Sequence, residues 1–166
     1  MKSMLIIVAG LASMLTSAQW AAAQDLASQI VGVWKMASYA RKDLETGKTS
    51  ATFGERPVGY YHYTRGGHFV SYYVAQDRKI NEKAELTDAE SLDAFKTLSA
   101  ASGTYKTEGD KIIMLLEAAH VPSWAGTTRT NQAQIAGNKL TLTSAPFKSR
   151  RDGKDIVVVS TWERVE

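Results

Sequence analysis

The chain has 166 residues, 20 Lys and Arg against 17 Asp and Glu, and no cysteine. That length fits one domain around a single core, and the lack of cysteine excludes disulfides, thiol nucleophiles and thiolate metal sites. A net charge of +3 with no basic run gives no nucleic-acid groove, since the densest cluster, "KSRRDGK" at 148–154, reads as a solvated loop.

The first stretch reads as a leader rather than as fold. Met1 and Lys2 give a positive start, "MLIIVAGLASML" is apolar, and "TSAQWAAAQ" closes on small residues. A positive, then apolar, then small-residue order is the pattern of a secretory signal peptide. Cleavage after Ala23, with Ala21 and Ala23 as the small residues, assigns 1–23 to the signal and 24–166 to the mature domain. The apolar run is shorter than the ~20 residues that span a bilayer. The expectation is a secreted, periplasmic protein without stable membrane insertion.

From Gly32 onward the chain reads as short strands. "GVWKMASYAR" (32–41) alternates, with Trp34, Met36, Ser38 and Ala40 on one face. Lys35, Tyr39 and Arg41 share the other face with Val33 and Ala37. Such a period of two marks a half-buried strand. Residues 43–57 form a loop. "VGYYHYT" and "HFVSYYVA" are strands two and three, joined by "RGG". A type I turn with Gly67 left-handed pairs Tyr63 with Phe69, His62 with Val70 and Tyr61 with Ser71. Tyr61, Tyr63, Phe69 and Tyr73 then share the inward face. Tyr60, His62, His68 and Tyr72 face outward.

"TDAESLDAFKTLSAA" (87–101) breaks the strand pattern. Leu92, Phe95 and Leu98 recur at helical spacing, and Thr87 with Glu90 forms a capping box. Strands resume with "SGTYKT" and "KIIMLLEAAH", then "TTRTNQAQI" and "KLTLTS", and end with "DIVVVSTWERV". The predicted fold is all-β: an eight-stranded antiparallel up-and-down β-barrel with one helix between strands three and four.

The ordered stretches "GVWKMASY", "PVGYYHYTRGGH", "SGTYKTEGDKI", "HVPSWAGT", "GNKLTLTS" and "TWERV" resemble the bacterial and fungal lipocalin-like domain family. This family lies within the wider lipocalin and fatty-acid-binding superfamily. The resemblance covers nearly the whole mature chain and implies a lipocalin-like barrel around a central ligand cavity. It matches Gly32 and Trp34 to the first-strand signature, and implies that Trp34 closes the barrel base against a late basic residue, here Arg164, on the strand of Trp162. Two places depart from the family pattern. Met114 and Leu115 stand where histidine is frequent, and Asn131 and Gln132 where arginine is frequent, with Arg129 nearby. A family activity that needs those groups is either absent here or uses Arg129 and His120.

Three histidines, His62, His68 and His120, are too few and too scattered for a catalytic zinc site. No nucleophile elbow and no glycine-rich phosphate loop occur, so no metal or cofactor is expected. The inward tyrosines, with Tyr105, Met114 and Leu116, form either a cavity wall or a filled core. "VPSWAGT" is a fixed bend at a rim, with Trp124 over the mouth and His120 just before it. His120 is the weak catalytic candidate, or merely ends its strand. Arg129, in phase with Asn131, Ala133 and Ile135, points inward or sits at the rim. The first expectation is a barrel that binds a small apolar or amphipathic molecule. The alternatives are a cofactor-free isomerase or cyclase in the same cavity, and a filled barrel that docks a protein. The sequence does not set the oligomeric state.

Overall fold

A computed structural model gives the architecture; it describes residues 25–78, 85–149 and 152–166. The leader expected at 1–23, and Arg150 and Arg151 of the basic cluster, lie outside the described residues. Ten strands form one antiparallel sheet. They are β1 (Gly32–Asp43), β2 (Thr49–Ser50), β3 (Val58–Tyr63), β4 (His68–Val74) and β5 (Leu98–Glu108), then β6 (Lys111–Ala119), β7 (Thr128–Ala136), β8 (Lys139–Ser144), β9 (Phe147–Lys148) and β10 (Asp155–Arg164). Eight of them close into a barrel because β1 also pairs with β10. The two-residue strands β2 and β9 are appendages on its rim.

Among the described residues two α-helices accompany the barrel, α1 (Leu26–Ile30) and α2 (Asp88–Lys96). α2 carries the expected capping box: the Glu90 amide donates to Thr87 Oγ1, and Glu90 accepts from the Thr87 amide at 2.8 Å. Its place needs a correction. It follows β4 rather than lying between strands three and four, because the 43–57 loop contributes the extra strand β2. It is also shorter than the 87–101 stretch suggested. Thr97 ends it, and Leu98 already belongs to β5. Leu92 and Phe95 remain 52% and 45% exposed, so helical spacing here does not mark a buried face.

The β3–β4 hairpin matches its predicted register throughout. Tyr63 pairs with Phe69, His62 with Val70 and Tyr61 with Ser71. Gly67 has φ +76°, and its amide donates to the Thr64 carbonyl at 3.1 Å to close the turn. An L-residue resists that conformation, so glycine fixes the loop length and with it which side chains face inward. Tyr63 and Phe69 are 2% exposed, whereas His62 and His68 face water.

The base of the barrel is solid. Trp34, Ile30, Ile112, Leu140 and Trp162 are essentially inaccessible there, with α1 beneath them. Trp34 donates its indole N–H to the Ile30 carbonyl at 2.8 Å. Arg164 stacks its guanidinium 4.1 Å from the Trp34 ring centre and donates to the carbonyls of Val31, at 2.8 Å, and Gln29. Gly32, at φ +134°, leaves room for this chain crossing. A Cβ there would meet the Glu166 carbonyl oxygen at 2.3 Å.

Two ion pairs join the 152–154 turn to β1 at the opposite end. Arg41 donates to both Asp152 carboxylate oxygens, at 2.8 and 2.6 Å, and Lys154 reaches Asp43 at 2.6 Å. The Lys154 bond, with amide bonds from the following turn, holds the Asp43 carboxyl well below the usual carboxylate range. The Arg41 bond lowers that of Asp152.

Replacing Arg164 with Met should cost about 2–4 kcal/mol in urea unfolding, the sum of a cation–π contact and charged hydrogen bonds. A change inside experimental error would refute the clamp. Both depressed carboxylates ionise at lower pH when folded than when unfolded. Their contribution is complete above the unfolded value of ~3.9 and lost as pH falls through the folded values. The melting temperature should therefore drop as pH is lowered below about 4, and Asp43→Asn should flatten that slope.

Candidate functional site

Above the solid base the barrel is hollow. The cavity is about 610 Å³ and opens between the 43–57 loop, α2, the β6–β7 connection and the β8–β10 connection. Tyr61, Met114, Leu142 and Trp162 line its lower part. The Tyr61 ring meets Trp162 edge-on at 4.7 Å. Three more rings form a side wall: Tyr39, Phe53 and Tyr73 pack with centroids 4.9, 5.4 and 5.1 Å apart. Aromatic pairs at such distances each add about 0.5–1.5 kcal/mol beyond burial. The wall is therefore a stiff surface with hydroxyl groups set into it.

Tyr39 and Arg41 reach this cavity because β1 changes phase. Met36 pairs with Trp162 and Ser38 with Thr161, which leaves Ala37 as an extra residue. One residue of bulge exchanges the faces of everything after it. Trp34 and Met36 point inward below the bulge; Tyr39, Arg41 and Asp43 do so above it. The expected single-phase strand, with Ser38 and Ala40 on the core side and Tyr39 and Arg41 opposite, is thus corrected. Ser38 instead pairs its hydroxyl with Thr161 at 2.6 Å. Alternation in "WKMASYAR" contains no trace of the bulge. Phe53, the other unexpected wall residue, is the sole aromatic of the 43–57 loop, and that is the signal that could have marked it.

The expected site residues divide between the two levels. Tyr61, Tyr73, Met114, His120, Trp124 and Arg129 line the cavity. Tyr63, Phe69 and Leu116 do not; they are buried in the core. Tyr105 sits at the turn end, where its ring meets Tyr63 edge-on at 5.0 Å and its hydroxyl donates to the Thr64 carbonyl at 2.8 Å. Tyr63, Phe69 and Tyr105 belong to the filled half because the hairpin turn at 64–67 is at the base, whereas Leu116 lies farther along β6 than Met114, with its backbone bonded to Gly126 and Thr127. Inward parity gave their face and not their height.

His120, Trp124 and Arg129 gather at the mouth. Pro122–Trp124 forms a single 3₁₀ turn. The Arg129 guanidinium lies 4.0 Å over the Trp124 ring, and the His120 ring meets that indole edge-on at 5.0 Å. Phe95 of α2 adds a further ring 5.3 Å from His120. His120 comes here by a different route from the one its spacing suggested. Glu117 is an unpaired bulge residue between Leu116 and Ala118, so Ala118 is exposed and Ala119 packs against the core. The imidazole is fixed by its Nδ1, which accepts from the Ala100 amide at 3.1 Å.

Burial pushes the hydroxyls of Tyr39 and Tyr61 well above the usual tyrosine range. Both therefore stay protonated and can donate hydrogen bonds. The neighbouring Tyr73 hydroxyl adds to the shift at Tyr39, and the Ser71 hydroxyl opposes it at Tyr61. The Arg129 charge opposes the shift at both Tyr39 and Tyr61, so its field reaches the wall and the lower part of the cavity. Among the described residues the lining contains Arg41, Lys96, Arg129 and Lys148 and no carboxylate.

A closed antiparallel barrel, sealed at one end and hollow at the other, has the calyx architecture, which suggests a binding function. Residues 31–165 match the lipocalin-like domain family, and the chain belongs to it. The chain is also similar to two solved structures. A lipocalin-like protein from Bacteroides uniformis is 14% identical, covering 81% of this chain and 96% of its own, with a TM-score of 0.41. An uncharacterized protein from Bacteroides eggerthii is 15% identical, covering 81% and 98%, with a TM-score of 0.39. No curated protein matches the chain.

Trp34 and Trp162 are 0% and 1% exposed, whereas Trp124 is half-buried at the mouth. In a Trp20→Phe background, which removes the indole at position 20, Trp124→Phe should remove most of the acrylamide-quenchable emission. Unchanged quenching would place Trp124 away from an open mouth.

Proposed function

We propose that this protein is exported and that its cavity carries one small apolar or amphipathic molecule. The observation that carries this reading is the hollow upper half, about 610 Å³ with an aromatic wall among apolar and polar lining residues. That volume lies within the range of small-molecule sites, roughly 300–1,000 Å³, where apolar lining and a few placed polar groups are the rule. It weighs against a barrel filled throughout and working only through its exterior. The leader-like start at 1–23 supports export, and the ligand would then be met outside the cytoplasm. An isomerase or cyclase reading has less behind it, since no carboxylate among the described lining residues is there to work with the one histidine at the cavity.

Native mass spectrometry of protein purified from its own host tests this. The expected result is a co-purifying molecule of fixed mass that is lost from Asn131→Trp, a substitution that puts an indole into the cavity from β7. Asn131→Trp should keep the wild-type circular dichroism spectrum. Repeated recovery of empty wild-type protein, together with no thermal shift across a set of apolar ligands, would sink the proposal.

A further inference from the structure

The cavity holds a cation that its protein surroundings do not neutralise. Among the described residues Arg129 makes no ion pair; its guanidinium rests on the Trp124 face at 4.0 Å. Arg41, by contrast, is matched in bidentate fashion by Asp152 at 2.8 and 2.6 Å. A guanidinium in a half-enclosed apolar site calls for an anion, and its planar fork of donors fits an oxyanion on two parallel bonds. Stacking on Trp124 fixes the plane of that fork while leaving its edge N–H groups unused. Tyr39 and Tyr73, with ring centroids 5.4 Å apart, line the same cavity. A protonated tyrosine hydroxyl has one O–H to donate. No described lining residue would repel a negative charge.

We infer that Arg129 is the anchor for an oxyanion head group on the bound molecule, with the Tyr39–Tyr73 pair as a second donor and the aromatic wall taking the apolar body. The ligand is thus an acidic amphiphile rather than a neutral one. This rests on the reading of the cavity as a ligand site. The Tyr39–Phe53–Tyr73 wall favours a flat body, because rings at 4.9–5.4 Å offer edges and faces rather than a smooth tube.

Two fluorescent probes with one ring skeleton separate the two claims: anionic 1-anilinonaphthalene-8-sulfonate and neutral N-phenyl-1-naphthylamine. Wild-type protein should bind both. Arg129→Met should weaken the anionic probe about tenfold or more, the scale of a lost charged hydrogen bond, and leave the neutral probe within about twofold. Arg129→Lys should recover part of the loss, because it restores charge without the fork. Raising the salt concentration should weaken the anionic probe alone on wild-type protein, which keeps the test open if Arg129→Met does not fold. Dodecanoate or dodecyl phosphate should displace the probe better than dodecan-1-ol, and the better of those two acids identifies the oxyanion. Equal loss of both probes in Arg129→Met, or no loss of the anionic one, overturns the anchor and leaves the cavity reading standing. A wild-type protein that binds neither probe overturns the cavity reading itself.

Discussion

Arg164 ties together the two ends of the domain. Its guanidinium lies on Trp34, at the start of the first barrel strand, and its donors close on the backbone of the segment before that strand. Because β1 and β10 are the pair that closes the barrel, this contact sits on the seam. A closed sheet has no free edge, so the seam protects the molecule from pairing with another chain. It also sets height. With Trp34 and Arg164 fixed at the base, the turns at 64–67 and 137–138 fall beside them, and the long connections gather at the far end. The rim of the cavity is consequently built from loops, α2 and strand ends, and its walls are strand interiors.

The two halves of the barrel have different jobs and different chemistry. The lower half is packed with Ile, Leu, Met, Phe and Trp and supplies the hydrophobic free energy of a cysteine-free fold. The upper half has hydroxyls, cations and rings facing space. Tyr63 below and Tyr61 above mark the border on a single strand, stacked with centroids 5.1 Å apart. One tyrosine serves packing, and its neighbour two residues on lines the cavity.

Much of this was legible in the amino-acid order. "YTRGGH" specifies a turn, the turn specifies a register, and the register places Tyr61, Tyr63 and Phe69 inward and His62 and His68 outward. Trp34 and Arg164 could be paired because the resemblance named both roles. What stayed hidden has a common cause. Alternation reports a face only while strand phase is continuous, and it breaks at Ala37 in β1 and at Glu117 in β6. Neither bulge has a glycine or proline at the extra residue to announce it. Tyr39 and Arg41 were lost to the site for that reason, and His120 was placed at the cavity by an argument that the second bulge undoes. Height along the barrel was equally invisible, so Tyr105 could not be separated from Tyr73 and Met114. α2 was found by its cap and mismeasured by its apolar spacing, since Leu92 and Phe95 do not pack into a core.

The Ala37 bulge divides the first strand into two reading frames. Even-numbered residues carry the fold up to Met36, and odd-numbered residues carry the cavity from Tyr39 onward. The base and the site therefore draw on separate sets of positions within one continuous strand. Changes at 39 and 41 can reshape the interior without touching the residues that seal the barrel. Removing a single residue between Met36 and Ser38 would do the reverse. It would merge the frames, present Tyr39 and Arg41 to water and turn Ser38 and Ala40 toward the cavity, while the plug around Trp34 kept its place.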